Sequence, residues 1–251
     1  MESFSNESYI LSSKEMQVGE LNSPFSFSPK FKDESKEILN ILKNLDKNQI
    51  EKIMKIKGEL LEETYNNIIN YDSLSVVKAI NLYNGVAFKK LEIEHYTSKE
   101  LEYLNNSLII LSAMYGALNP FDNIKKYRLD MTMKISENSL YSFWSEKVTS
   151  YINDLLSQDN EKILLNLASN EYSKIINKKT LNFKMITVDF KEFKNGKYSS
   201  VSSFSKQGRG MLLNYLIKNQ ITNIEEIKKF NEDRYSFNSE LSNENTIIFS
   251  R

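Results

Sequence analysis

The chain of 251 residues balances 33 basic against 33 acidic side chains, is 40% hydrophobic, and contains no cysteine. That balance removes the overall basic field that steers many nucleic-acid binders, so any anion site must be a local patch. With no cysteine and a single histidine, His95, disulfides, thiolate chemistry and His- or Cys-rich metal sites are excluded, which leaves an all-oxygen carboxylate site as the alternative, and no cofactor or metal is expected.

The length, with 14 Tyr, 14 Phe and one Trp, suffices for one large domain with a substantial core. No apolar run approaches the roughly eighteen residues of a membrane span. The opening residues 1–9 are polar and acidic, unlike a secretory leader, so a cytoplasmic location and no membrane partner are expected. Tyr9-Ile10-Leu11 predicts a short first strand, followed by Ser12-Ser13-Lys14 and a loop through Pro24 and Pro29. Ile38, Leu39, Ile41, Leu42 and Leu45 recur at helical spacing, and Asp46 with Gln49 forms a capping pattern for the next helix. Residues 50–61 break a helical pattern at Gly58, beside Lys52, Lys55 and Lys57. This segment reads either as a helix-hairpin-helix, whose turn offers backbone amides to a DNA phosphate, or as an ordinary helix corner. Such hairpins usually show two glycines, and this one has a single glycine.

Thr97-Ser98-Lys99-Glu100 predicts a capping box, residues 107–111 a buried strand, and residues 140–156 an amphipathic helix with Trp144 in the core. Residues 162–168 predict another strand. It runs into Ser169-Asn170-Glu171-Tyr172, where Ser169 is a candidate cap and free amides at the helix start would attract an anion. Residues 182–193 and 197–204 predict strands joined about Asn195-Gly196. Residues 211–218 read as helix, 222–225 as a further capping box, and 235–249 as a closing hairpin. No repeat, linker or composition shift divides the chain. One α+β domain over residues 1–251 is expected, with a mixed β-sheet, surrounding helices and a helical-hairpin elaboration near residues 33–70.

Only four of the basic residues are arginine: Arg128, Arg209, Arg234 and Arg251. A guanidinium is a planar, permanently charged fork that grips phosphate in two places, whereas an ammonium is a mobile point charge. Arg128 lies in Tyr127-Arg128-Leu129-Asp130-Met131. Arg209 lies in Ser205-Lys206-Gln207-Gly208-Arg209-Gly210, where two glycines would let backbone approach a ligand closely. A surface salt bridge is the alternative for each. Residues 112–128, 169–172 and 205–210 all place polar groups after apolar runs, and convergence on one cleft is the economical explanation.

The ordered stretches Leu111-Ser112-Ala113-Met114-Tyr115-Gly116-Ala117-Leu118, Tyr127-Arg128-Leu129-Asp130-Met131, Leu140-Tyr141-Ser142-Phe143-Trp144, Asn166-Leu167-Ala168-Ser169-Asn170-Glu171-Tyr172, Lys194-Asn195-Gly196-Lys197 and Arg209-Gly210 carry a resemblance. Through them the sequence resembles the YaaA family of peroxide-stress proteins over residues 10–249. Departures include Leu11-Ser12-Ser13-Lys14, which keeps the lysine of the family's opening pattern without its proline, and Asn119 and Gln207, where the family carries basic residues.

The resemblance implies a cytosolic protein that helps cells survive hydrogen peroxide by limiting unincorporated iron. It also implies an α/β fold of its own and DNA binding through a positively charged cleft and a helix-hairpin-helix. A chain with this inventory is poorly equipped to hold iron or destroy peroxide itself, so protection would be indirect. The expected partner is double-stranded DNA, bent or damaged duplex included, bound largely without regard to sequence. Lys14, Lys57, Lys174, Lys206, Arg128 and Arg209 are the candidate phosphate contacts, with Gly58, Ser169 and Gly210 beside them. Tyr115, Tyr127 and Tyr172 are candidates for stacking on a base, the alternative being half-buried packing with satisfied hydroxyls. A second hypothesis is an enzyme acting on a phosphorylated or nucleotide-like small molecule in the same cleft, with Glu171 as general base rather than a helix-dipole carboxylate. A third is an interaction protein that acts through a partner in iron handling.

Overall fold

The computed structural model describes residues 8–17, 23–157 and 163–251. Its first half contains β1 (Ser8–Ser12), α1 (Lys32–Lys43), α2 (Lys47–Met54), α3 (Gly58–Ile69), β2 (Val76–Lys78), α4 (Ala79–Leu82), α5 (Ser98–Ser107), β3 (Leu108–Ser112), β4 (Gly116–Leu118) and β5 (Asn123–Lys125). Its second half contains α6 (Leu140–Leu156), β6 (Ile163–Asn166), α7 (Asn170–Ser173), β7 (Lys184–Lys194), β8 (Lys197–Ser199), α8 (Ser202–Asn219), α9 (Ile224–Ile227), β9 (Ser236–Phe237) and β10 (Thr246–Ser250).

One mixed sheet of eight strands runs in the order β4-β3-β1-β6-β7-β10-β9, with β8 paired to β7. The five inner strands are parallel, and β4, β8 and β9 are antiparallel to their neighbours. Every residue of β3 and four of the five in β1 are buried, the near-continuous apolar run of a strand covered on both faces. β1 lies between β3 and β6, with Tyr9 opposite Leu108 on one side and Leu165 on the other. From β1 the chain adds strands on one side, β3 and then β4. From β6 it adds them on the other, through β7 to β10. Connections that diverge from two adjacent strands leave a crevice at their carboxyl ends.

Local chemistry fixes several boundaries. Asp46 Oδ1 accepts from the Gln49 N–H at 2.9 Å while Gln49 Oε1 accepts from the Asp46 N–H at 2.8 Å, a complete capping box for α2. Thr97 and Glu100 do the same for α5. The single tryptophan is a core residue: Trp144 Nε1 donates to the Ala113 carbonyl at 2.9 Å, and its ring meets Phe31 and Phe143 edge-on. Gly116, at φ +70°, is where the backbone passes that ring, since a Cβ there would lie 2.6 Å from it. No helix among the described residues is long and apolar enough to cross a membrane.

Four expectations need correction. Residues 33–70 form three helices rather than a pair. The second strand of the 182–204 hairpin stops at Ser199, and α8 starts at Ser202, so Arg209 and both its glycines are helical. Gly208 and Gly210 serve packing. A Cβ on Gly208 would lie 2.4 Å from the Phe190 ring, and one on Gly210 would lie 2.2 Å from the Ala87 carbonyl oxygen. Asn223, not Thr222, caps α9 by accepting from the Glu226 N–H at 3.0 Å. The strand expected at 107–111 begins one residue later, because Ser107 ends α5. Lys162, expected in the strand that became β6, and residues 1–7 lie outside the described residues.

Two predictions follow from this packing. Gly210→Ala gains helix propensity but drives a methyl group into backbone, so a net loss on the order of 2 kcal/mol is expected. Thermal unfolding should move down by roughly 5 °C, and an unchanged midpoint would show that α8 slides freely past Ala87. Asp122 is 4% exposed and its carboxylate accepts the Asn119 N–H at 2.8 Å, and burial pushes its carboxyl from 3.8 up to about 6. The folded chain therefore keeps this proton after the unfolded chain has released it, and stability falls as pH rises from 4 to 6, by about 3 kcal/mol for this group. In urea unfolding at pH 4 and pH 7, Asp122→Asn should flatten that decline, and equal pH dependence in both proteins would refute the assignment.

Candidate functional site

The crevice at the carboxyl ends of β1 and β6 is a cleft of about 440 Å³. It is lined by residues 11–15, by Gly85, Val86 and Ala87, by residues 167 and 169–172, and by Ser202, Lys206 and Arg209 of α8. The Ser169 N–H donates to Ser12 Oγ at 3.4 Å, tying the two strand exits together. Gly85 lets the third segment close in, since a Cβ there would lie 2.1 Å from Ser13 Oγ.

Lys14 Nζ sits 2.8 Å from Glu171 Oε2 and 3.3 Å from Asp130 Oδ2. Burial alone would depress the ammonium, but the hydrogen bond to Glu171 and the charge of Asp130 outweigh it and hold Lys14 above its ordinary value. Lys14 is thus a fixed cation and not a neutral amine poised for attack. Arg209 enters from α8. Its Nη2 lies 3.5 Å from Asp189 Oδ1, and that carboxylate already accepts from Ser205 Oγ at 3.0 Å and Ser200 Oγ at 2.6 Å. Burial lowers the Arg209 value and Asp189 opposes the change, yet a guanidinium stays charged at any physiological pH.

Glu171 Oε1, the Tyr172 hydroxyl and Arg209 Nε are buried without a hydrogen-bond partner among the described residues. All three belong to residues that line this cleft. Buried polar atoms of native proteins are nearly always paired, so three unpartnered ones mark where the polar groups of a ligand would sit. Burial first, then the neighbouring Tyr127, Asp130 and Glu171, raise the Tyr172 phenol, which keeps its proton and can donate it in a hydrogen bond. The arrangement offers one donor fork, two ammoniums (Lys14 and Lys206), one phenol and one free carboxylate oxygen.

Six sequence candidates meet here: Lys14, Ser169, Glu171, Tyr172, Lys206 and Arg209. Arg128 does not join them. It lines a separate, shallow recess against α1 and α3 with Lys126 and Tyr127, and its own Nε is also unpartnered. The stretch 127–131 reaches the cleft instead through Asp130 on Lys14. Tyr115 is buried with its hydroxyl on Tyr71, and Tyr127 places its hydroxyl 2.8 Å from both Ser112 Oγ and Tyr83. Both act in packing, and neither presents a ring to a base.

Lys57 and Gly58 form the α2–α3 turn, with Lys57 3.9 Å from Glu51, and the exposed Lys174 follows α7. Ser169 occupies the cap position of α7 without making a side-chain cap bond, and α7 spans only four residues, too short a run of aligned peptides to hold an anion. Gly210 faces Ala87, not a ligand. Arg234 is exposed outside the cleft lining, and its neighbour Asp233 engages Arg251. Sequence reading missed Ser12, Ser13, Gly85 and Asp189 as site residues. Asp189, an acid within an alternating apolar strand, was the one signal that could have found its partner Arg209.

The comparisons with known proteins bear on the whole chain. A family model described as "Peroxide stress protein YaaA" matches residues 8–241. A UPF0246 protein of Fusobacterium nucleatum is 50% identical over 242 residues, covering 95% of this chain and 96% of that protein. UPF0246 proteins of Francisella philomiragia and Francisella tularensis are 42% and 41% identical over 230 residues, each alignment covering 89% of this chain and 91% of the relative. Agreement of this extent spans the sheet, the cleft and the helices alike, and the chain belongs to the peroxide stress protein YaaA family.

Proposed function

We propose that this peroxide-stress family member protects the cell by binding DNA through its phosphates, largely independently of sequence, and that unincorporated iron falls as an indirect consequence. The observation that carries the reading is Arg209, a guanidinium drawn into the cleft with one long ion pair, to Asp189, among the described residues. Lys206 stands three residues earlier on the same face of α8, exposed at the cleft. The α2–α3 turn adds support for a helix-hairpin-helix element. Lys55 and Gly58 both adopt positive φ, and the space around Gly58 is open, which leaves the turn's backbone accessible to a phosphate.

Because Lys14 is committed to two carboxylates, few cations remain for phosphates, and the affinity should fall with salt along a log–log slope no steeper than about −5. Replacing Arg209 by alanine should weaken duplex binding about tenfold and make the slope shallower by about one, measured by fluorescence anisotropy across a salt series. Unchanged binding would remove the cleft from the DNA interface. The same variant, expressed in cells lacking the protein, should restore neither hydrogen peroxide survival nor low EPR-detectable iron.

Glu171 Oε1 and the Tyr172 hydroxyl favour a second reading, a nucleotide-like small molecule held or turned over in the same cleft. Phosphate recognition needs neither a carboxylate acceptor nor a phenol, whereas a base or sugar edge would use both. Tyr172→Phe removes only an unpartnered buried hydroxyl and should fold as well as the parent. Calorimetric titration with nucleoside monophosphates should show affinity lowered about tenfold in this variant. Absence of any such binding in the parent protein would dispose of this reading and leave the DNA proposal untouched.

A further inference from the structure

Twelve consecutive residues, 193–204, are exposed, and they carry Phe193, Tyr198, Val201 and Phe204, which are 57%, 41%, 38% and 38% exposed. Phe193 and Tyr198 face each other across the β7–β8 ribbon with ring centroids 4.9 Å apart. The next register pair is Lys194 and Lys197, closing on Asn195 and Gly196, both at positive φ as a two-residue hairpin turn requires. Lys191 precedes them. Glu192 is the one acid between 191 and 204, and it turns to Arg251 and Tyr235. The hairpin therefore presents two exposed rings flanked by lysines, and the one acid of the segment, Glu192, is engaged by Arg251 and Tyr235.

Apolar side chains gathered on a surface and rimmed by one sign of charge mark an interaction site. Two rings and three lysines make too small a surface for a stable protein–protein interface, which takes about 800 Å² from each partner. They match what unpaired nucleic acid demands: aromatic faces for bases and cations for the backbone on either side. We propose that the β7–β8 hairpin is a stacking platform for unpaired bases of DNA, with Phe193 and Tyr198 under the bases and Lys194 and Lys197 on the phosphates. This rests on the DNA reading above. Continuity supports it, because α8 starts three residues after β8 and its Ser202 and Lys206 line the cleft, so a strand lying on the hairpin leads directly to Arg209.

The test is anisotropy with three labelled oligonucleotides of equal length: a fully paired duplex, a duplex with unpaired bulged nucleotides, and a single strand. The paired substitutions Phe193→Ala and Tyr198→Ala should weaken the bulged and single-stranded probes about tenfold while changing duplex affinity less than twofold. Phe193→Tyr with Tyr198→Phe, which keeps both rings, should bind all three as the parent does. Both side chains are exposed, so thermal midpoints should match that of the parent. A Phe193→Trp variant should show its new fluorescence quenched by the single strand. Equal losses on paired and unpaired DNA, or no loss, would overturn the platform while leaving the cleft reading intact. Loss of self-association or of sedimentation with anionic vesicles, with DNA affinity unchanged, would likewise overturn it. Failure of the parent protein to bind any of the three probes would instead sink the DNA reading itself.

Discussion

The adjacency of β1 and β6 determines everything at the cleft. Because these parallel strands run side by side and their onward connections leave in opposite directions, their carboxyl ends open onto space that no element of the sheet covers. Lys14 is delivered by one exit and Glu171 with Tyr172 by the other, within six residues of strands whose registers are fixed by buried apolar side chains. A slip of one residue in either strand would carry these groups to the wrong face. The precision of the site is thus inherited from Tyr9, Ile10, Leu164 and Leu165, none of which has polar chemistry of its own to contribute there.

Charge in the cleft is arranged to be locally matched yet incompletely satisfied. Lys14 lies between two carboxylates, and Arg209 leans on an aspartate that two serines already occupy. A surface built only to concentrate phosphate would leave its cations free, whereas burying a cation with partial compensation trades affinity for position. Here the guanidinium of Arg209 is held in one place by Asp189 at 3.5 Å, with neutral net charge over the whole chain. Lys206 at the cleft and Lys57 and Lys174 outside it are exposed lysines, and on the proposed reading they would supply the sequence-independent attraction.

Much of the frame was legible in the residues. The apolar runs of β1, β3 and β6, the capping boxes at Asp46 and Thr97, the helix over 140–156 and the Asn195-Gly196 turn each carry a local signal strong enough to survive in the folded chain. What was illegible depended on partners distant in sequence. Two glycines around Arg209 read as a loop, because glycine weakens a helix when only local propensity is weighed. In the structure they lie under Phe190 and Ala87, where no larger residue fits, and tertiary packing overrides the local preference. Likewise Arg128 and Arg209 are equivalent forks on paper. Only the α1 and α3 helices, which form a separate wall over residues 126–128, divide them between two recesses.

The aromatic residues divide their labour along the same line. Tyr71, Tyr83, Tyr115 and Tyr127 pair their hydroxyls with one another or with Ser112, which satisfies these four phenols at the cost of hiding the rings. A phenol buried in a network of this kind keeps its proton, since burial raises Tyr83, Tyr115 and Tyr127, so the network is neutral and not a source of charge. The hidden rings of this network and the open rings on the hairpin are complementary. Positioning needs side chains that cannot move, and sequence-tolerant contact needs faces that any base can cover. On the proposed DNA reading the chain would meet the first need with tyrosines whose hydroxyls can be satisfied inside, and the second with Phe193, a ring that has no hydroxyl to satisfy, set opposite Tyr198, whose ring is left open to water.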